Sequence, residues 1–545
     1  MTAAVIDAGD GLSLTIPALL RRQVKARGDH ILLACDDARL SYAEADQRSL
    51  RLARGLVAAG ITKGSHVALL FPNGVDLMIS MLAVARIGAV IAPLSTLSTA
   101  DELRWLLVNS DATFLLAAQE FRSHHYGELL KAALPEIDFS RPPPLRSLTA
   151  PSLRRICFRG PLPKDWHGDW SLEALEESGS GIDETFMEAV ESRVSLADRC
   201  VLIHTSGSTG TPKGVIHTHG VLIRHRNNIN RIRRYGADDV LFSSAPWFWV
   251  TGFSFSVIGT LIAGARLVCS NATAAVDILD LLERERPTIT NGYAPTVFRL
   301  AADPSFPTRD LSSIRRGTLY PIMAPDVRPR DPTLRHEPYG MSEGGSAITT
   351  SADEGDLPEH LRGSCGPFLP GFEVKLVDPE TGKDGAAGEA GELWIRGPFM
   401  MEGYYGKSRS QVFEPDGWWR SGDVGIINAD GFFFLKGRLN NMIKSSFANV
   451  SPREVEGVLS GLTGGLQCVV LGIPDQQRGQ AVAAVVVADR DSDVDEAALR
   501  EQLADKLSSY KVPRRIFRFG QSEMPTLSSG KLDMRKLTEL VQRRW

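Results

Sequence analysis

Between residues 15 and 120 the chain alternates stretches of helical periodicity with short apolar runs. Residues 42–59 repeat apolar positions at helical spacing and predict a helix; HVALLF at 66–71 predicts a strand; residues 78–87 predict a second helix that leads into the apolar run AVIAPL. Strands alternating with helices predict an α/β sandwich with parallel strands. Residues 139–184, with Pro142, Pro143, Pro144 and the run Gly179-Ser180-Gly181, lack sustained periodicity and read as a surface excursion. From about 365 to 437 the texture changes, and EVKLVD, GELWIRG and GFFFLKG predict short strands of a small β-rich subdomain. After Gly437, CVVLGI and AVAAVVVAD predict two further strands, while Leu499, Leu503 and Leu507 recur every four residues behind Asp493 and Asp495, as in a capped amphipathic helix. The expected fold class is therefore α/β, with a large domain over 1–436, built of sandwich subdomains and the β-rich subdomain, and a small α+β C-terminal domain over 437–545.

Composition narrows the function classes. Hydrophobic residues make up 43% and charged residues 23% of the 545, the usage of a folded globular chain. Lys and Arg number 61 against 65 Asp and Glu, so there is no overall attraction for nucleic acid or anionic membrane, and any anion must be bound locally. The six cysteines are far apart and form no CxxC pair, which argues against a zinc or redox site and for reduced thiols in the cytoplasm. Asp7 and Asp10 stand where an export signal would carry positive charge. No charged residue occurs between Asp239 and Arg266, a length that could cross a membrane, but Pro246 and three glycines interrupt it. A buried strand and helix lining an apolar cavity are expected there, and no transmembrane segment. The basic run from Arg224 to Arg234 reads as a solvated helix face.

The densest chemical signal is HTSGSTGTPKGVIHTHG at 204–220, where glycines and small hydroxyl residues crowd before Lys213. Glycines let the backbone approach a phosphate closely, their N–H groups form an anion nest, and the lysine adds a mobile positive charge. Pro212 stands where a Walker A loop needs glycine, so this is not a standard P-loop. Residues 340–344, GMSEG, also satisfy the GxSxG pattern of a hydrolase nucleophile elbow, with Ser342 as nucleophile, but His360 follows only eighteen positions later, too close for that fold.

The run TSGSTGTPKG resembles the signature of the adenylate-forming superfamily of acyl-CoA synthetases, adenylation domains and luciferases. The resemblance continues in order through PWFWVTG, YGMSE, GSCGPFLPG, GELWIRGPFMMEGYYG, WWRSGDVG, GRLNNMIK, VSPREVE, SSYKVPRR and PTLSSGKLDMRKL. It implies a two-step reaction: a carboxylate attacks the α-phosphorus of ATP to give an acyl-adenylate and pyrophosphate, and a thiol then displaces AMP. It implies ATP, Mg2+ and CoA as cofactors, a phosphate loop over 204–214, and a C-terminal domain that moves between the steps about a hinge near Asn440. By position, Thr205, Ser206, Gly207, Ser208, Thr209, Gly210 and Lys213 match the phosphate loop. Glu343 matches the magnesium-associated glutamate and Tyr339 the aromatic residue near adenine, and Gly340 and Ser342 lie between them, with serine where threonine is usual. Asp423 matches the acid that binds both ribose hydroxyls, Arg438 and Lys444 fall among nucleotide-contacting positions, and Lys531 matches the lysine that bridges carboxylate and α-phosphate. Lys531, Glu343 and Lys213 are the implied catalytic residues.

Some positions depart from the family pattern. Asn440 and Asn441 replace acidic or lysine residues at the hinge, Phe447 replaces glycine in the loop that approaches the thiol, and RRGTLYPIMAP at 315–325 holds no recognisable adenine cradle. Trp249 stands where a histidine is common and, with Gly252 and Phe253, suggests a pocket for an apolar acid. The readings set beside the CoA ligase are a stand-alone adenylating enzyme that loads an acyl carrier protein and a non-catalytic nucleotide-binding homologue.

Overall fold

The sequence VDLMISMLAVAR leaves no broad polar face, and a helix of that kind is stable only when covered on all sides. In a computed structural model, which describes residues 13–205, 212–292, 297–352, 354–379, 381–385, 388–439, 443–445, 448–488, 494–525 and 532–545, this segment is the helix Val75–Arg86, buried from Leu77 to Arg86. Its core cluster also takes Leu33, Leu241 and Leu267 from one sheet and Val67, Leu69 and Ile91 from another, the helix-and-sheet layering expected of an α/β fold. The first sheet has the strand order 316–317, 289–291, 240–243, 266–269, 31–35, 38–41, and the second 403–404, 213–218, 199–205, 90–93, 66–70, 114–118, 155–159. Parallel pairing dominates the interior of both.

Arg86 ends the helix inside this core. Its guanidinium is paired with the carboxylates of Glu191 and Asp46, and its Nε donates to Ser49 Oγ at 3.0 Å.

Two expectations are corrected in this unit. Residues 139–184 are not simply a surface excursion, because Arg155–Arg159 forms an edge strand of the second sheet and Phe139, Phe158, Trp166 and Trp170 pack their rings together beneath it. The arginines at both ends of RICFR disguised a strand whose middle three residues are buried. The run from Arg224 to Arg234 is likewise not a solvated face throughout: helix His219–Ile232 buries Arg226 completely. The uncharged segment between Asp239 and Arg266 folds as strand Val240–Ser243, a π-helix Thr251–Ile258, helix Gly259–Ala263 and strand Arg266–Cys269. Among the described residues no helix is long and apolar enough to cross a membrane.

The glycine-punctuated region forms an antiparallel sheet in the order 373–377, 391–396, 419–427, 433–438. Contacts divide the chain into two compact units. The larger draws on Met1–Thr96, Leu106–His204 and Gly214–Leu439, the smaller on Leu97–Trp105, Thr205–Lys213 and Asn440–Trp545. The smaller unit is built on strands Cys468–Asp475 and Gly479–Val487, paired antiparallel, with Arg515–Phe519 added in parallel. Helix Glu496–Ala504 is capped by Asp495, whose side chain accepts from the N–H groups of Ala497 and Ala498. Leu499, Leu503 and Leu507 all point into its core.

Candidate active site

Strands Gly340–Met341 and Ser346–Ala347 form a short antiparallel hairpin. The 3-10 turn Ser342–Gly344 joins them and ends at Gly345, whose φ of +73° is a left-handed conformation that suits glycine. This turn presents Glu343, which remains partly exposed. The Tyr404 hydroxyl donates to Glu343 Oε1 at 2.8 Å, and the Met401 N–H donates to the Glu343 carbonyl at 2.8 Å. His217 Nε2 lies 2.6 Å from the carbonyl oxygen of Ser342. Burial lowers the His217 pKa to about 4, so the ring is neutral at pH 7, and since a carbonyl can only accept, Nε2 carries the proton. The contact braces the turn from behind and supplies no base to the Ser342 hydroxyl, as an esterase elbow would require.

A second group forms on the antiparallel sheet. Asp423 on strand Trp419–Ile427 stands directly opposite Arg438 on strand Phe433–Arg438. Arg438 Nε donates to Asp423 Oδ1 at 2.5 Å, and the Tyr339 hydroxyl donates to Oδ2 at 2.6 Å. Burial alone would lower Arg438, but the facing carboxylate more than offsets it and holds the guanidinium above its usual pKa. Burial, reinforced by Asp423, pushes the Tyr339 hydroxyl well up, so it stays a donor. Each carboxylate oxygen keeps a second lone pair beyond these bonds. Glu392 supports the stretch of strand before Asp423, accepting from the Gly422 N–H at 3.2 Å and from Arg420 at 3.0 Å.

The third group surrounds the π-helix, a rare element that often marks functional sites. A Cβ at Gly252 would lie 2.0 Å from the Pro246 carbonyl oxygen, so only glycine lets the helix close on the preceding turn. Trp249 is partly buried and its ring meets Phe248 edge to face at 5.2 Å. Phe253, expected at the pocket, is fully buried and belongs to the sandwich core cluster. Phe255 is partly buried. Strand Ser346–Ala347 packs on this helix, which puts the π-helix beside the turn that carries Glu343.

Of the remaining expected residues, Thr205 ends strand Arg199–Thr205 and Lys213 opens strand Lys213–Thr218. Ser206, Gly207, Ser208, Thr209, Gly210, Asn440, Asn441, Phe447 and Lys531 lie outside the described residues. Lys444 is exposed in the smaller unit, its N–H bonded to Gln480 Oε1 at 2.7 Å. Tyr404, His217 and Glu392 were missed in the sequence. Tyr404 falls inside GELWIRGPFMMEGYYG, but nothing local separates it from Tyr405, whose hydroxyl goes to Asp111. Among the described residues no group of three or more His, Cys, Asp or Glu could hold a metal. A single partly exposed carboxylate suits magnesium, which binds one or two carboxylates together with substrate phosphates.

Residues 20–405 match the family model for AMP-binding enzymes, and residues 454–531 that for the AMP-binding enzyme C-terminal domain. The chain belongs to the AMP-binding enzyme family. A feruloyl-CoA synthase from an Amycolatopsis species is 33% identical, with 90% of this chain and 92% of that protein covered. An indoleacetate–CoA ligase of Aromatoleum aromaticum is 29% identical, with 93% and 94% covered. The structure of the amide bond synthetase McbA from Marinactinospora thermotolerans superposes with a TM-score of 0.77 at 25% identity, covering 96% of this chain and 99% of that one. This AMP-binding enzyme is an AMP-forming acid–thiol ligase of the adenylate-forming superfamily that uses ATP, Mg2+ and CoA, and its α/β fold with a separate C-terminal domain is that superfamily's fold.

Proposed function

We propose that this ligase activates an apolar carboxylic acid as its acyl-adenylate and passes the acyl group to CoA in the cytoplasm. The observation that carries the reading is the juxtaposition of Glu343, braced on its turn by Tyr404, with a π-helix that bears Phe255 and is preceded by Trp249. An aromatic-lined site beside the reacting groups favours an apolar acyl chain, and the feruloyl and indoleacetate specificities in the names of two relatives support it. None of the six cysteines is in a disulfide, which fits a reducing compartment.

A free carboxylate is a poor electrophile, and joining it to AMP supplies a good leaving group for attack by the CoA thiol. Such phosphoryl chemistry needs in-line positioning and charge neutralisation more than a protein nucleophile. Thr205, the loop 206–210 and Lys213 hold the β- and γ-phosphates. Glu343 takes the magnesium ion, which neutralises phosphate charge when bound, and Tyr404 fixes the carboxylate's orientation. Asp423 receives the ribose hydroxyls, with Arg438 and Tyr339 fixing its plane. Lys444 contacts the nucleotide, and Lys531 approaches carboxylate and α-phosphate for adenylation only, with the C-terminal domain turning about Asn440 between steps.

The test is mass-spectrometric analysis of purified protein with ATP, Mg2+ and a panel of apolar acids, offering CoA or a pantetheinylated carrier protein as acceptor. Acid-dependent AMP in step with a CoA thioester is the expected result. ADP in place of AMP, or a thioester only on the carrier, would overturn the reading.

A further inference from the structure

Arg226 is fully buried on helix His219–Ile232. Its Nε donates to Asn230 Oδ1 at 2.7 Å, and Asn230 Nδ2 donates in turn to the Gly259 carbonyl at 2.9 Å, so the guanidinium plane is fixed from one edge. Its two terminal nitrogens are shut off from solvent and have no hydrogen-bond acceptor among the described residues. The Phe255 ring covers it, with its centroid 3.7 Å from Arg226 Cζ.

Among the described residues no carboxylate bonds to this guanidinium. The groups that bear on it are Tyr235, whose hydroxyl is held protonated by burial and bonds Thr260 at 2.8 Å, and Arg233, a second cation. Burial lowers Arg226 to about 9, which still leaves it positive at neutral pH. A buried cation without an anion is costly, and an apolar side chain of the same size would serve packing better. The free edge, Nη1 with Nη2, is the fork that grips a carboxylate through two parallel bonds. Phe255, its cover, belongs to the π-helix beside the turn of Glu343 and is itself only partly buried.

We propose that Arg226 recognises a second carboxylate at the far end of the acid substrate, reached when the Phe255 ring turns aside. The proposal rests on the ligase reading above and names its substrate class: dicarboxylic acids with an apolar middle, one end adenylated and the other held by Arg226. Phe255 then acts as a door that presents an apolar face to a monoacid and gives way to a diacid.

The experiment compares straight-chain mono- and dicarboxylic acids of about six to twelve carbons, a span that a pocket of a few hundred Å³ holds. Adenylation efficiency and the ligand-induced shift in melting temperature are both measured for the wild type, Arg226→Met and Phe255→Ala. For at least one length the wild type should prefer the diacid. Arg226→Met should lose about 10- to 100-fold on that diacid, the worth of a charged hydrogen-bonded pair, and its diacid-induced melting shift, while keeping the monoacid. Phe255→Ala should raise the diacid-to-monoacid ratio. A ratio unchanged in both variants, equal loss on both acids, or an Arg226→Met protein that melts far below the wild type would each overturn the proposal and make Arg226 structural. Absence of acid-dependent AMP from every acid would instead overturn the ligase reading itself.

Discussion

Among the described residues the larger unit buries two arginines almost completely and treats them in opposite ways. Arg86 meets the carboxylates of Glu191 and Asp46 and the hydroxyl of Ser49. Arg226 meets one neutral amide and one aromatic face. A buried cation enclosed by anions belongs to the fold, since removing it strands charges inside; one enclosed by neutral groups contributes little to folding and is available to a ligand.

Three buried histidines, His217, His219 and His225, and the partly buried His204 sharpen the contrast, because unlike an arginine they can release their proton. Burial lowers His204, His217 and His219 to about 4 and His225 to about 3. In the unfolded chain each titrates near its ordinary value of about 6.5. Above that pH both states are neutral; between about 6.5 and 4 the unfolded chain binds the extra protons, so stability falls as pH falls. Each histidine contributes at most about 1.4 kcal/mol per pH unit in that window, and the four together give the largest effect expected here. Melting temperature measured from pH 7.5 to pH 4.5 should drop steeply below pH 6.5, whereas a flat profile would show that these rings are not held neutral.

The next largest effect separates the arginines directly. Arg86→Met leaves Asp46 without its cation and buried Glu191 with only the half-exposed Arg21, and should cost about 3–5 kcal/mol, while Arg226→Met should change stability by less than about 1 kcal/mol or raise it. Denaturant unfolding of the two variants checks this, and equal losses would erase the distinction. Smaller still is Tyr404→Phe, which removes the hydroxyl from Glu343 without opening a cavity. The loss of one hydrogen bond to a charged group, about 1.5–3 kcal/mol, should appear in kcat of adenylation more than in melting temperature. An unchanged rate would mean that Glu343 needs no orientation.

Much of this was legible in the sequence, for identifiable reasons. Asp423 and Arg438 were singled out because WWRSGDVG and GRLNNMIK resemble family motifs, and the strand register brings their side chains together. The burial of Arg226 was also written in the helix, since it lies four residues after Leu222 and three before Ile229, on the apolar stripe. Arginines at 224, 231, 233 and 234 hid that spacing behind a basic run. The contacts of Tyr404 and His217 with the Glu343 turn span 61 and 125 residues, and no local pattern encodes pairings at that distance. Phe253 was singled out for its aromatic neighbours around Trp249, and the fold places it in the core cluster, which the sequence does not distinguish from a pocket wall.

The central claim is that the acid becomes an acyl-adenylate before it becomes a thioester, and an isotope experiment tests it most directly. An accepted acid labelled with 18O in both carboxylate oxygens is converted with ATP and CoA, and the products are weighed by mass spectrometry. Attack of the carboxylate on the α-phosphorus followed by thiol displacement of AMP must leave one 18O in AMP and none in pyrophosphate. Label in inorganic phosphate beside ADP, or unlabelled AMP with a fully formed thioester, would contradict the account.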